Sequence, residues 1–146
     1  MESFLSDLLA SAEVQAFASG FPTMLLHLAA TLGLLVLGAV IYAALTPWRE
    51  IELIREGNAA AAVAFAGVLV GLAIPLAVSL TASTSLREIG LWGLATVVIQ
   101  LLAFRIVDMI LTGLPQRIRD GEVSAAVLLV GAKLATALVL AAALSA

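Results

Sequence analysis

Residues 59–80 carry no charged side chain and no polar stripe at helical spacing. A helix of a soluble bundle keeps one polar face, so this stretch points to a bilayer. A hydrocarbon core about 30 Å thick needs about 20 apolar residues in helix. Three further segments meet that requirement: 23–46, 89–113 and 123–146. Composition agrees, because charged residues make up 12% of the chain against about 25% in soluble domains. Cysteine is absent and histidine occurs once, at His27. Disulfide scaffolds, thiolate chemistry and multi-His metal or haem sites within one chain are thereby excluded. A net charge of −3 without a basic run speaks against nucleic acid as a partner.

The connections between spans are short. Loops 47–58 and 114–122 hold Arg49, Arg55, Arg117 and Arg119, whereas the other side holds only Arg87. By the positive-inside rule both charged loops face the cytoplasm and both termini face out. Residues 1–22 place Phe4, Leu5, Leu8 and Leu9 opposite Asp7, Ser11 and Gln15, the pattern of an interfacial helix. Gly20 and Pro22 are expected to break it from the first span. It lacks a basic leading region, so cleavage as a signal peptide is not expected.

A shift of 64 residues places Ile54-Arg55-Glu56-Gly57 on Ile118-Arg119-Asp120-Gly121, and eight of twenty residues from Ile54 onward are identical. Each unit then reads as a helical hairpin, and two spans per unit make the repeats parallel in topology. Gly57 and Gly121 supply the turn into a helix. Asn58 can cap the second span, and Glu122 holds the matching position. Gly67 with Gly71, and Gly131 with Ala135, form small-xxx-small faces suited to close packing between spans two and four or between subunits. Pro75 removes the hydrogen bond to the Gly71 carbonyl and predicts a bend.

The two hairpins differ in polarity. Lys133 replaces Leu69 of the first unit and lies roughly 15 Å into its span at 1.5 Å per residue. A central lysine costs about 2.5–3.5 kcal/mol to insert and therefore needs a partner, a wet cavity or neutralisation. Gln100 lies at nearly the same depth, with Arg105 and Asp108 nearer the inner end. As a functional set, Lys133 and Asp108 with Gln100 between them line an ion or proton path or hold an anionic solute. As a structural set, Arg105 and Asp108 pair at the interface, Gln100 glues helices and Lys133 is neutralised against carbonyls. His27, near the outer end, is too far from Lys133 for contact. No hydrolase triad, phosphate loop or metal cluster is present, so an enzyme is not expected.

Thr46-Pro47, Asn58-Ala59-Ala60, Ala64-Phe65-Ala66-Gly67, Gly71, Ile74-Pro75-Leu76, Trp92 and Ile99-Gln100-Leu101 resemble the YjfL family of small four-span bacterial inner-membrane proteins of unknown function. The resemblance covers residues 24–145. It implies an inner-membrane protein with a duplicated hairpin, often encoded near membrane-stress and polyamine-conjugate functions, and brings no catalytic residue with it. Lys133 lies outside those motifs.

The expected architecture is an all-α integral membrane protein with an interfacial segment 1–22 and tandem hairpins 23–80 and 81–146. The expected function is an oligomeric ion or proton channel, or small-solute transporter, with its polar path in the second hairpin and no cofactor. The alternative is a scaffold subunit that meets a cytoplasmic protein through loops 47–58 and 114–122. A third reading, a quinone- or haem-binding electron-transfer subunit, would require a site between subunits.

Overall fold

The computed structural model describes residues 1–47 and 49–146, and among these all regular structure is helical. The elements are α1 (Glu2–Leu9), α2 (Ala12–Leu45), α3 (Glu50–Arg55), α4 (Ala59–Ala82), α5 (Leu86–Ile110), α6 (Leu114–Arg119) and α7 (Val123–Ser145). Four of them, α2, α4, α5 and α7, are long and apolar enough to cross a membrane. Helices are the natural form for such segments, since hydrocarbon offers no partner to an unpaired backbone group.

The break expected at Gly20 and Pro22 does not occur. Both lie inside α2, which runs 34 residues without interruption. The chain instead turns at Ala10 and Ser11, where Ser11 takes extended dihedrals and its hydroxyl accepts from Val14 N–H at 3.4 Å. Proline removes one donor from a helix, but continuing the helix keeps every other backbone group paired in an apolar stretch.

The most extensive contact in the molecule is between α4 and α7. Ala60, Ala61 and Ala64 meet Ala125, Ala126 and Leu129 in one buried cluster with Leu114 and Ile118. Small side chains let the two backbones approach closely. At Gly67 a Cβ would stand 2.5 Å from Val130 Cγ2, and at Gly71 another would stand 2.7 Å from Phe104 Cζ, so both positions require glycine. Gly131 and Ala135 behave differently from the expected seam between spans two and four. They are exposed, and a Cβ at Gly131 meets open space. Pro75 is buried inside an unbroken α4.

The two charged connections are not plain loops. Each holds a six-residue helix, α3 or α6, entered through a left-handed residue (Arg49 at φ 45°, Gly113 at φ 88°). Each leaves through a glycine at positive φ, Gly57 or Gly121. Asn58 N–H donates to Leu53 O, and Glu122 N–H donates to Arg117 O, both positions bonding back five residues.

The Asn58 side chain then does two jobs. Its Oδ1 accepts from Ala61 N–H at 3.0 Å, capping α4, while Nδ2 donates to the carbonyls of Ile118 and Arg119. Glu122 makes no such cap. Its carboxylate is held by the Arg117 guanidinium, with Nε 2.7 Å from Oε2. That contact holds Glu122 below the usual carboxylate range.

Candidate functional site

Lys133 is 1% exposed, on the α7 face turned into the bundle. Its side chain extends toward the α3/α6 end rather than toward a backbone carbonyl. Nζ donates to Tyr42 Oη at 2.8 Å and stands 3.0 Å from Asp108 Oδ1. The carboxylate contact is an ion pair set off the line of a hydrogen bond, so Oδ1 is left without a hydrogen-bond donor. The ammonium also lies 4.6 Å from the Tyr42 ring centroid and 5.4 Å from that of Phe104. The faces of both rings attract a cation. Tyr42 and Phe104 themselves meet edge to face at 6.2 Å.

The arrangement continues past tyrosine. Tyr42 Oη donates to Glu50 Oε1 at 3.3 Å. Glu50 is the first residue of α3 and 2% exposed, although its neighbours Arg49, Ile51 and Glu52 are exposed. Thr46 Oγ1 donates to the Tyr42 carbonyl at 2.7 Å and fixes the last turn of α2 beside it. Glu50 Oε2 has no hydrogen-bond partner. Burial pushes the Glu50 carboxyl up to about 7, outweighing the pull of Lys133 and of the Tyr42 hydroxyl in the other direction. A carboxylic acid there exchanges its proton near neutral pH.

Away from the α3/α6 end, beyond Lys133, the polarity thins. Thr136 Oγ1 donates to the Lys133 carbonyl at 2.7 Å, and Gln100 Nε2 donates to Thr136 Oγ1 at 3.4 Å. Gln100 is fully buried with its Oε1 unpaired. Thr96 and Ser79 are buried farther along, and Ser79 borders a cavity at the opposite end of the bundle with Trp92 and Ala143. Apolar Leu76 and Ile89 fill buried positions in the same half of the bundle.

Several expectations are thereby corrected. Gln100 is not between Lys133 and Asp108; it stands beside Thr136, on the side of Lys133 away from α3 and α6, while Asp108 lies on the α3/α6 side. Arg105 does not pair with Asp108, which is taken by Lys133; Arg105 is exposed. The polar set is not confined to the second hairpin, because Tyr42 and Glu50 supply half of it. Tyr42 is the chain's one tyrosine, placed a turn from the end of a span opposite a buried lysine. That combination was the available signal. Glu50 gave none, since it sits in a run of charges that are otherwise exposed.

A family model described as Domain of Unknown Function (DUF350) matches residues 16–144. The chain is 36% identical over 95 residues to the UPF0719 inner membrane protein YjfL of Escherichia coli K12, covering 65% of this chain and 72% of that protein. The YjfL of Escherichia coli O157:H7 matches to the same extent. No solved structure matches. With its four apolar helices and a family match spanning nearly its full length, the chain belongs to the DUF350 family, alongside YjfL.

Proposed function

We propose that this chain is a bacterial inner-membrane transport protein that moves protons through the Glu50–Tyr42–Lys133–Asp108 cluster. The observation that carries the reading is a buried lysine joined through one tyrosine to a buried carboxyl at the end of the bundle. Two carboxylate oxygens there have no hydrogen-bond donor. A structural ion pair needs only its two members and their hydrogen bonds; this one is extended through Tyr42 to a second buried carboxyl.

The chemistry is a relay. With Lys133 neutral and Glu50 protonated, the Glu50 proton passes to Tyr42 Oη as the Tyr42 proton passes to Lys133 Nζ. One proton has moved from carboxyl to amine and the phenol is unchanged. Hydrogen bonds running from lysine to tyrosine to glutamate describe the state after transfer, and the reverse directions the state before it. Asp108 stabilises the ammonium so formed. Thr136, Gln100, Thr96 and Ser79 are the groups that continue outward, across a stretch that must rearrange or admit water.

The arginines of loops 47–58 and 114–122 support a cytoplasmic position for Glu50, with both termini outside. The matching backbones of α3 and α6 support a duplicated hairpin in parallel topology. Assembly with other copies through the exposed Gly131 and Ala135 face belongs to the same reading, as does contact with a cytoplasmic protein through the two loops. No enzymatic step and no cofactor is included.

The test is proton and potassium flux into liposomes carrying the full chain, with Lys133→Met and Glu50→Gln beside it. Native protein is expected to dissipate a pH gradient, and each variant to lose at least about tenfold of that rate, one missing relay partner costing 1.4 kcal/mol or more. Native protein no leakier than empty liposomes under either sign of potential overturns the proposal in favour of a scaffold.

A further inference from the structure

Between α2 and α5 the surface opens into a lateral groove of about 370 Å³, within the range of about 300–1,000 Å³ typical of ligand sites. One wall is Ile41 and Leu45; the other is Leu94, Val98 and Leu102, and Arg105 stands at its polar end. Leu94, Val98 and Leu102 are about half exposed or more, so the groove opens sideways toward the acyl chains. From Leu94 to Leu102 the apolar wall runs about 12 Å at 1.5 Å per residue.

The charges at the polar end are unequal. Asp108 is occupied by Lys133 at 3.0 Å. Arg105 faces the same groove and has no acidic partner among the described residues. It lies five residues before Ile110, the end of α5, so its guanidinium is within one side-chain length of the headgroup layer, about 7.5 Å along the helix axis. A cation at that depth seeks an anion, and a planar guanidinium matches two phosphate oxygens at once.

We propose that the α2/α5 groove is a binding site for an anionic phospholipid, with the phosphodiester on Arg105 and one acyl chain along Leu94, Val98 and Leu102. The site is independent of proton transfer. It places a lipid against Tyr42 and Asp108, which border the same groove, so an occupied groove seals the charged cluster from the side. A second copy of the chain fits less well, because it would need a carboxylate at the depth of Arg105, and the one acidic residue in the spans near that level is Asp108, already paired.

The experiment is native mass spectrometry of the delipidated full chain titrated with palmitoyl-oleoyl phosphatidylglycerol or with the phosphatidylcholine of the same chains. One phosphatidylglycerol is expected to bind about tenfold more tightly than phosphatidylcholine. Arg105→Gln should erase that preference, Arg105→Lys should keep part of it, and Val98→Trp should weaken both lipids by filling the groove. Arg119→Gln, an exposed arginine at the same end, should change nothing, and inorganic phosphate should not compete. Equal binding of the two lipids, a preference that survives Arg105→Gln, or a dimer that Val98→Trp dissociates would each overturn the proposal.

Discussion

The helices α3 and α6 stand 64 positions apart and have the same length, the same left-handed entry and the same glycine exit. Their first residues are both buried, yet one is Glu50 and the other Leu114. A leucine under a turn of helix is an ordinary packing residue. A carboxyl in the same setting loses its water and keeps its proton to about 7. One backbone device thus serves as a hydrophobic plug in one half of the molecule and as a titrating group in the other. The long helices repeat the contrast: Lys133 is buried, whereas Leu69, at the matching position of α4, is partly exposed. In both pairs a buried ionisable residue stands where the matching position carries leucine.

The largest test of that contrast removes the cation. Lys133→Leu leaves Asp108 and Glu50 without a counter-charge and is expected to cost about 3–5 kcal/mol, as for other broken buried pairs. Adding Asp108→Leu should restore most of the loss while transport stays absent. Thermal melts of the single and double variants in one detergent check it; a double variant no more stable than the single breaks the argument.

Making the two connections alike is the next test. Glu50 binds its proton more tightly folded, at about 7, than at its ordinary 4.5. Its contribution is therefore fully present below pH 4.5 and is lost as pH rises through 7, an upper bound of about 3.4 kcal/mol at 1.36 kcal/mol per unit. The native melting temperature should fall between pH 5 and 7.5, and Glu50→Leu should flatten that fall. A profile unchanged by the substitution would assign the titration elsewhere.

The packing faces offer a smaller difference. Gly67→Ala drives a methyl into Val130 and should destabilise by about 1–3 kcal/mol. Gly131→Ala meets open space and should stabilise by about 0.5–1 kcal/mol through helix propensity. Equal melting shifts for the two would remove the distinction. The smallest concerns the caps. Asn58→Ala loses one cap and two donors to α6, about 1–2 kcal/mol. Glu122→Ala loses only an exposed ion pair and should lower the melting temperature less than Asn58→Ala does.

Much of this was legible in the amino-acid order. Twenty-residue apolar runs mark spans because the bilayer imposes one length and one chemistry on all of them. Gly57 and Gly121 announce turns because few other residues take positive φ. Lys133 stood out as a charge too deep to lack a partner, and it does meet Asp108. Glu50 was hidden, since Arg49, Glu52, Arg55 and Glu56 around it are exposed and only tertiary packing selects one of the five for burial. The face of Gly131 and Ala135, which does not pack on α4, was open between two partners for a related reason. A small-residue spacing says that close approach is possible there, and the choice of partner is made by the whole bundle.

The Asn58 amide has a mechanical consequence. Its bonds to Ala61, Ile118 and Arg119 tie the head of α4 to the tail of α6, and α6 leads directly into α7. These three helices form the stator of the molecule. The other body is α2, whose burial is confined to Gly38, Ala39 and Tyr42 near one end of its 34 residues. Partly buried Leu34 and Leu35 extend that seat toward the middle of the helix, and the Lys133–Tyr42 contact spans the joint. Any movement of α2 against the other helices is therefore movement of Tyr42 against Lys133, so the tie made by Asn58 and the relay proposed above meet at one joint.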